Sequence, residues 1–120
     1  MARSWALTKR AQYLAVYKSG KAWVDDLVVI KTLPNELGFS RYGFSVAKAI
    51  GKAVVRNRVR RLLKEIARAT SVKPGWDIVF IARPSVADAD YHRLKKSVDG
   101  LLSRAHLVIG KNETICTGVN

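Results

Sequence analysis

Residues 51–68, GKAVVRNRVRRLLKEIAR, combine a dense set of cationic side chains with regularly spaced aliphatic ones. The basic residues there from position 56 onward are Arg56, Arg58, Arg60, Arg61, Lys64 and Arg68, and one carboxylate, Glu65, stands among them. Arginine predominates, and its planar guanidinium group can donate two hydrogen bonds at once to a phosphate. Asn57 can add hydrogen bonds to a sugar or a base edge. These residue types indicate phosphate recognition.

The same stretch has the periodicity of an amphipathic helix. Its apolar residues recur at helical spacing and are Val55, Val59, Leu62, Leu63 and Ile66. On a wheel of about 100° per residue with Arg56 at zero, these residues occupy roughly 240° to 340°, whereas Asn57 and most of the basic residues occupy roughly 0° to 140°. Arg58 lies near about 200°, at the apolar edge, where it can reach round to a different surface. The sequence predicts a helix with a core face and a cationic face.

Like charges on the cationic face destabilise such a helix. A pair at i,i+4, such as Arg56 and Arg60, costs roughly 0.2–0.5 kcal/mol. Glu65 can relieve only part of this repulsion, through Arg61 and Arg68. A face that only needed solvation would intersperse acidic residues, so an ordinary basic surface is the weaker interpretation. The stronger one is that the phosphates of a folded RNA supply the missing negative charge.

The whole chain shares this imbalance of charge. Its 120 residues include 22 Lys and Arg against 9 Asp and Glu, which gives a formal net charge of +13 and a pI near 10.4. Self-repulsion on this scale opposes compaction, and a small protein usually tolerates it because it binds nucleic acid. A hydrophobic content of 48% is enough for a core. We expect a single RNA-binding α/β domain at residues 1–110 and a polar, flexible tail at 111–120.

Other classes of protein are disfavoured by what the sequence lacks. No apolar run approaches the roughly 18–20 residues of a membrane span, and Arg3, Lys9 and Arg10 interrupt any signal-peptide core. One cysteine, Cys116, fits a reducing cytoplasm. The carboxylates and histidines do not cluster at catalytic or metal-ligand spacing, and no Gly-rich phosphate loop occurs. We expect no catalytic residue, metal ligand or membrane partner, and a cytoplasmic location.

Three strands are predicted around the cationic helix. A run rich in β-branched residues predicts a strand at roughly 24–33. Residues 40–46 predict a second strand, antiparallel to the first because the connection is short. Residues 76–82 are nearly all apolar, which predicts a third strand in the centre of the sheet.

Two further helices are predicted. The first covers residues 7–20, with Thr8 as its N-cap and Gly20 as the residue that ends it. The last covers residues 91–106, and Asp88 or Asp90 can cap it. The order helix, strands, helix, strand, helix predicts an α+β sandwich.

The segment SVAKAIGKAVVRNRVRRLLKE, residues 45–65, resembles the signature of the bacterial ribonuclease P protein component. In that family a loop of the form S-V-x-K-x-x-G-x-A-V leads into R-N-R-x-[KR]-R. The core of the signature is reproduced by Arg56, Asn57, Arg58, Arg60 and Arg61. The resemblance covers most of the chain and includes an aromatic pair in the first helix, Tyr13 and Tyr17.

The resemblance implies an α/β sandwich with a four-stranded mixed sheet and three helices, ribosomal protein S5 domain 2-like. The Arg-rich helix would lie in a left-handed βαβ crossover, against the usual right-handed rule. The resemblance also implies a ribonucleoprotein that acts as an endoribonuclease and removes the 5′ leader of precursor tRNA. Catalysis would belong to the RNA subunit, with Mg²⁺ bound mainly by that RNA and no organic cofactor. One protein would bind each catalytic RNA and also recognise the leader.

The resemblance also assigns site residues. The catalytic RNA would contact the residues of the R-N-R core together with Lys48 and Lys52, and Lys64 and Arg68 extend the same cationic face. The single-stranded leader would lie against Tyr13 and Tyr17, because aromatic platforms stack any base for about 1–3 kcal/mol. Core packing is the alternative role for these tyrosines. Lys31 stands where many relatives carry an aromatic residue, so a contact between its ammonium and a phosphate could replace stacking there.

Charge and helix pattern alone leave other functions open. A ribosomal or assembly protein that only holds rRNA would show the same cationic helix, and the R-N-R signature and the paired tyrosines argue against it. A stand-alone nuclease would need clustered acids or a histidine pair, which the sequence lacks. A sequence-specific DNA binder would have a recognition helix with fewer like-charge contacts, and would form a dimer.

Replacing Arg60 and Arg61 together by alanine tests whether the cationic face contacts phosphate. Each lost contact releases fewer counterions, so we expect weaker assembly with RNA and a salt slope reduced by about 0.7–0.9 per contact. The measurement is the association constant over a series of salt concentrations. An unchanged slope of log K against log salt would show that these side chains do not touch phosphate.

Overall fold

The computed structural model describes residues 6–109, which form three α-helices, four β-strands and two short 3₁₀ helices. The α-helices are α1 (Arg10–Ser19), α2 (Ala53–Ala69) and α3 (Tyr91–Arg104). The strands are β1 (Lys21–Val24), β2 (Val28–Pro34), β3 (Arg41–Ser45) and β4 (Trp76–Ala82). The 3₁₀ helices are Lys48–Ile50 and Pro84–Asp88. The predicted tail at 111–120, with Cys116, lies outside the described residues.

The four strands form one mixed sheet in the order β1-β2-β4-β3. β1 and β2 pair antiparallel, as do β2 and β4, whereas β3 and β4 are parallel. Parallel neighbours need a crossover connection, and α2 lies in the connection between β3 and β4. The expected four-stranded mixed sheet with three helices is therefore confirmed. The hand of the crossover stays a prediction.

The predictions for the first two strands are partly wrong. The strand expected at 24–33 corresponds mainly to β2, and it includes only the last residue of a separate strand, β1. The turn between the two strands includes Asp25, whose carboxylate accepts a hydrogen bond from the Asp26 N–H. β3 runs antiparallel to β2 as expected, but β4 lies between them. β4 takes the central position because its consecutive residues from Asp77 to Phe80 are buried and both its faces need cover. The short connection between β2 and β3 correctly indicated their antiparallel directions, but it did not indicate which strand pairs with β3.

The predicted start of α1 is wrong, because the helix begins at Arg10, whereas its stop at Gly20 and the cap of α3 by Asp90, one of the two candidates, are confirmed. Lys9, not Thr8, occupies the N-cap position of α1, and the Gln12 side chain accepts hydrogen bonds from both of their N–H groups, at 3.0 and 2.9 Å. Gly20 follows the end of α1, and its N–H donates to the Val16 carbonyl. The central helix covers the predicted residues. Asp90 caps α3 by accepting from the Arg93 N–H at 2.9 Å.

Two clusters of buried side chains lie on opposite faces of the sheet. The larger one joins α2 and α3 to the sheet and includes Phe80, and the smaller one beneath α1 includes Val79. These two residues are consecutive on β4, so their side chains point to opposite faces. Val59, Leu63 and Ile66 of α2 are at most 1% exposed, which confirms the predicted core face.

A partly buried ion pair joins β3 to β4. The Arg41 guanidinium donates to both carboxylate oxygens of Asp77, at 2.9 and 2.7 Å, and this pairing raises the pKa of Arg41. The side-chain amide of Asn35 donates to Asp77 as well, at 2.8 Å. A buried carboxylate with three donors is well satisfied, so the network holds the loop after β2 and the edge strand β3 in register with the centre of the sheet.

Gly43 allows α1 to pack directly on the backbone of β3. A Cβ atom at this position would lie 2.6 Å from Cε1 of Tyr13. The Tyr13 hydroxyl donates to the Leu7 carbonyl at 3.3 Å and accepts from the Phe44 N–H at 3.4 Å. The glycine therefore allows the close approach that positions the Tyr13 ring at the edge of the sheet.

We expect Gly43→Ala to displace the Tyr13 ring and to lower the free energy of unfolding by about 1–3 kcal/mol, the usual cost of overpacking. Urea unfolding followed by circular dichroism measures this loss. Gly38→Ala is the matched control, because a Cβ at Gly38 would meet no atom within 4 Å. Equal stability of the two variants would show that the approach of Tyr13 to β3 has no energetic consequence.

Candidate RNA interface

The cationic face of α2 is turned away from the core, as the helical wheel predicts. We call its six residues the cationic ridge: Arg56, Asn57, Arg60, Arg61, Lys64 and Arg68. Arg56 and Arg60 are half-buried, and the other four are exposed. Arg60 donates to the side-chain oxygen of Asn57 at 3.1 Å, which orients the guanidinium without neutralising it.

The acidic side chains that the structure describes do not pair with the middle of this ridge. Within residues 6–109, Arg60, Arg61 and Lys64 form no ion pair with an acid. Glu65, the one carboxylate expected to relieve the repulsion, is exposed and forms no ion pair within the described residues. Arg60, Arg61 and Lys64 therefore present positive charge that a polyanion can neutralise.

Lys48 and Lys52 lie at the end of the ridge where the chain enters α2. Lys48 begins the 3₁₀ helix before α2, and Lys52 is the N-cap residue of α2. Gly51, between them, has a φ of 154°, which favours glycine at this turn. Arg56 donates to the Gly51 carbonyl at 3.1 Å, so the entry loop and the start of the ridge are held together. Both lysines are exposed.

Arg58 reaches round to a different surface, as its position on the wheel predicts. Its guanidinium donates to the carbonyls of Ala87 at 2.7 Å and Ala89 at 3.3 Å. These carbonyls lie at the end of the second 3₁₀ helix and just before α3. Arg58 therefore ties α2 to the segment that leads into α3. Its expected contact with RNA stays a prediction.

The two tyrosines of α1 differ in how they are held. Their ring centroids are 6.4 Å apart and the ring planes are inclined by 48°. Tyr13 is half-buried, packs against the smaller core cluster and uses its hydroxyl in two hydrogen bonds. Tyr17 is 36% exposed, and Lys31 of β2 lies against it. Tyr13 therefore packs largely as a core residue, whereas Tyr17 presents its ring to solvent.

A cleft at the edge of β3 connects Tyr13 to the cationic ridge. Its volume is about 280 Å³, and it is lined by Ala6, Leu7, Tyr13, Tyr42, Phe44, Arg60, Lys64 and Arg68. Ala6 forms a bridge with Tyr42, and the Leu7 N–H donates to the Tyr42 carbonyl at 2.8 Å, so the chain before α1 closes one side. Aromatic rings and cationic groups therefore line one opening, the combination that binds single-stranded RNA.

Tyr42 and Phe44 were not among the predicted site residues. Both rings stack near Phe80, with centroid separations of 6.1 and 5.5 Å, and burial raises the pKa of Tyr42. The sequence could have indicated that they lie together, because Tyr42 and Phe44 are two residues apart in the predicted strand at 40–46 and therefore lie on the same face. Only the packing of β3 as an edge strand beside α2 shows that this face borders the ridge.

No group of three or more His, Cys, Asp or Glu side chains between residues 6 and 109 is placed to hold a metal ion. Over the same residues, no helix is both long and apolar enough to cross a membrane.

A mixed sheet that carries a cationic helix beside an aromatic cleft defines an RNA-binding α/β protein. A family model described as Ribonuclease P matches residues 1–106. The chain is 43% identical over 113 residues to the ribonuclease P protein component of Dehalococcoides mccartyi, with 94% of each covered. It is 44% identical over 110 residues to that of Clostridioides difficile, covering 89% of this chain and 96% of the relative. The chain belongs to the ribonuclease P protein family, as the resemblance implied.

Solved structures of this family share the fold. The RNase P protein from Staphylococcus aureus superposes with a TM-score of 0.81 at 27% identity, covering 89% of this chain and 100% of that one. The RNase P protein from Thermotoga maritima superposes with a TM-score of 0.77 at 29% identity, covering 88% and 98%. The predicted fold class is therefore confirmed by relatives as well as by the topology.

Arg58 and Arg61 are expected to contribute to different properties. Arg58→Ala leaves the Ala87 and Ala89 carbonyls without their donor and should lower the free energy of unfolding by about 1–3 kcal/mol. Arg61→Ala, at an exposed position, should change stability by less than about 0.5 kcal/mol and should weaken RNA binding instead. Urea unfolding and RNA titration of both variants check this division. Equal destabilisation by the two substitutions would contradict it.

Proposed function

We propose that the chain is the protein subunit of a ribonuclease P ribonucleoprotein. In this role it binds the catalytic RNA and the 5′ leader of precursor tRNA, and it thereby assists endonucleolytic removal of the leader. The observation that carries the proposal is the juxtaposition of the cationic ridge with the aromatic cleft on one side of the fold. The family membership supports the same role.

The ridge is the proposed contact with the catalytic RNA. Its arginines, together with Lys48 and Lys52, form a continuous set of cationic groups on α2 and its entry loop, which suits them to bind phosphates. A rigid helix presents these groups at fixed spacing, so that little additional ordering is needed when RNA binds. Neutralisation by phosphate would also remove the like-charge repulsion along the helix.

The tyrosines are the proposed contact with the leader. Stacking on an aromatic ring depends little on base identity, which suits a leader that differs from one tRNA to the next. Tyr17 exposes part of its ring, and Tyr13 borders the cleft that continues to Arg60 and Lys64. A strand that stacks on these rings can therefore place its phosphates against the ridge. This arrangement favours substrate binding over simple attachment to rRNA.

Catalysis in this proposal belongs to the RNA subunit and to Mg²⁺ held mainly by that RNA. The protein's part is to neutralise phosphates where the two RNA chains approach, which would lower the Mg²⁺ concentration needed for assembly and cleavage. One protein would act per catalytic RNA. The single cysteine of the chain fits a cytoplasmic site of action.

Reconstitution tests the proposal directly. Purified protein is mixed with a candidate catalytic RNA and a 5′-labelled precursor tRNA at low Mg²⁺, and cleavage is followed by gel electrophoresis. We expect a released leader and a mature tRNA with a 5′ phosphate only when the protein is present. A protein that binds the RNA without promoting this cleavage would instead fit the ribosomal or assembly role.

Tyr17→Ala should weaken binding of precursor tRNA to the reconstituted enzyme by about tenfold, within the usual range for one stacked base. Affinity for mature tRNA should hardly change, because mature tRNA has no leader. Tyr13→Ala should show the same selectivity, with stability measured in parallel because Tyr13 also packs against the core. Phe39→Ala is the control, an aromatic residue 41% exposed in the loop before β3. Equal losses for precursor and mature tRNA would assign the tyrosines to the core.

A further inference from the structure

Lys31 contacts one residue of the proposed leader platform in two ways. Its Nζ atom donates to the Tyr17 carbonyl at 3.2 Å and also lies 5.6 Å from the centroid of the Tyr17 ring. The first contact is to backbone and the second is to side chain. Lys31 therefore links β2 to both parts of Tyr17.

The carbonyl contact is favourable for a general reason. Tyr17 lies in the last turn of α1, where backbone carbonyls lack intrahelical donors and the helix carries partial negative charge. An ammonium group can satisfy such a carbonyl with a charge-assisted hydrogen bond. The position over the ring, within about 6 Å of the centroid, adds a cation–π attraction.

Tyr17 has few other restraints on its ring. The hydroxyl of Tyr13 forms two hydrogen bonds, and Gly43 lies directly beneath the Tyr13 ring. Within residues 6–109, the hydroxyl of Tyr17 forms no hydrogen bond. Its ring is in contact with Lys31 and, at a tilted angle, with Tyr13. The orientation of the exposed tyrosine therefore depends on the lysine.

We infer that Lys31 is a positioning residue for leader binding, which acts through Tyr17 and not by contacting a leader phosphate. The inference rests on the proposed function, since it concerns the same leader platform. Lys31 is half-buried, and its ammonium group is directed to α1. The lysine covers part of the Tyr17 ring and leaves the exposed part to stack a base. Its charge orients the aromatic platform.

Lys31→Met separates positioning from phosphate contact, because methionine keeps an unbranched apolar stem and loses the ammonium group. In the reconstituted enzyme we expect affinity for precursor tRNA to fall by about fivefold, and affinity for mature tRNA to stay unchanged. The slope of log K against log salt should also stay unchanged, whereas a lost phosphate contact on a single strand would reduce it by about 0.7. Lys31→Arg should restore most of the affinity, since guanidinium can also bind the carbonyl and the ring.

A double-mutant cycle with Tyr17→Ala supplies the deciding measurement. If Lys31 acts through Tyr17, Lys31→Met should cause no further loss of precursor affinity once Tyr17 is alanine. Lys21→Met is the control, since it removes the same charge from an exposed position on the neighbouring strand β1. It should leave precursor affinity within about twofold of the unmodified protein.

The outcomes distinguish this inference from the proposed function. Additive losses in the cycle, or a reduced salt slope for Lys31→Met, would overturn the positioning role and assign Lys31 to a leader phosphate. An unchanged precursor affinity for Lys31→Met, with a normal loss for Tyr17→Ala, would overturn any part for Lys31 in leader binding. If Tyr17→Ala itself left precursor affinity unchanged, the leader platform of the proposed function would fail.

Discussion

The structure depends on one constraint on α2, which must bury its aliphatic face while its like-charged face remains in solvent. Val59, Leu63 and Ile66 are almost wholly buried between the sheet and α3, and this burial offsets the repulsion along the opposite face. The helix is therefore stable although Arg60, Arg61 and Lys64 form no ion pair with an acid among residues 6–109. The like charges that would destabilise the isolated helix are therefore available to bind a polyanion in the folded protein.

The topology determines what lies beside that face. Because α2 connects two parallel neighbours, β3 and β4, its position is set at both ends by the sheet. β3 is the edge strand, so the ridge borders the edge where Tyr13, Tyr42 and Phe44 meet. The Arg41–Asp77 pair and Gly43 hold this edge in place, one by an ion pair with the central strand and the other by admitting the Tyr13 ring. Residues that bind no RNA in our proposal thus determine the geometry of those that do.

Residues that carry the same charge have different roles in this fold. Arg58 is surrounded in sequence by ridge residues, yet it donates to two backbone carbonyls ahead of α3. Lys31 is directed to the end of α1 and the Tyr17 ring. Net charge therefore indicates the class of partner, but it does not indicate which cations touch that partner. Arg58 is half-buried and donates to two carbonyls, so it is less available to a phosphate than the exposed ridge residue Arg61.

The amino-acid sequence alone determined the amphipathic helix, the central apolar strand and the family signature, and it narrowed the cap of α3 to Asp88 or Asp90, because each depends on neighbours within a few residues. It also predicted that Arg58 lies off the cationic ridge, which follows from the angle of this residue on the helical wheel. The position of β3 at the edge, the separate strand β1 and the cleft that joins Tyr42 to the ridge were decided only by the tertiary structure. The physical reason is that strand pairing is a competition among segments distant in the chain, and β4 occupies the centre because it has the most apolar surface to bury on both faces.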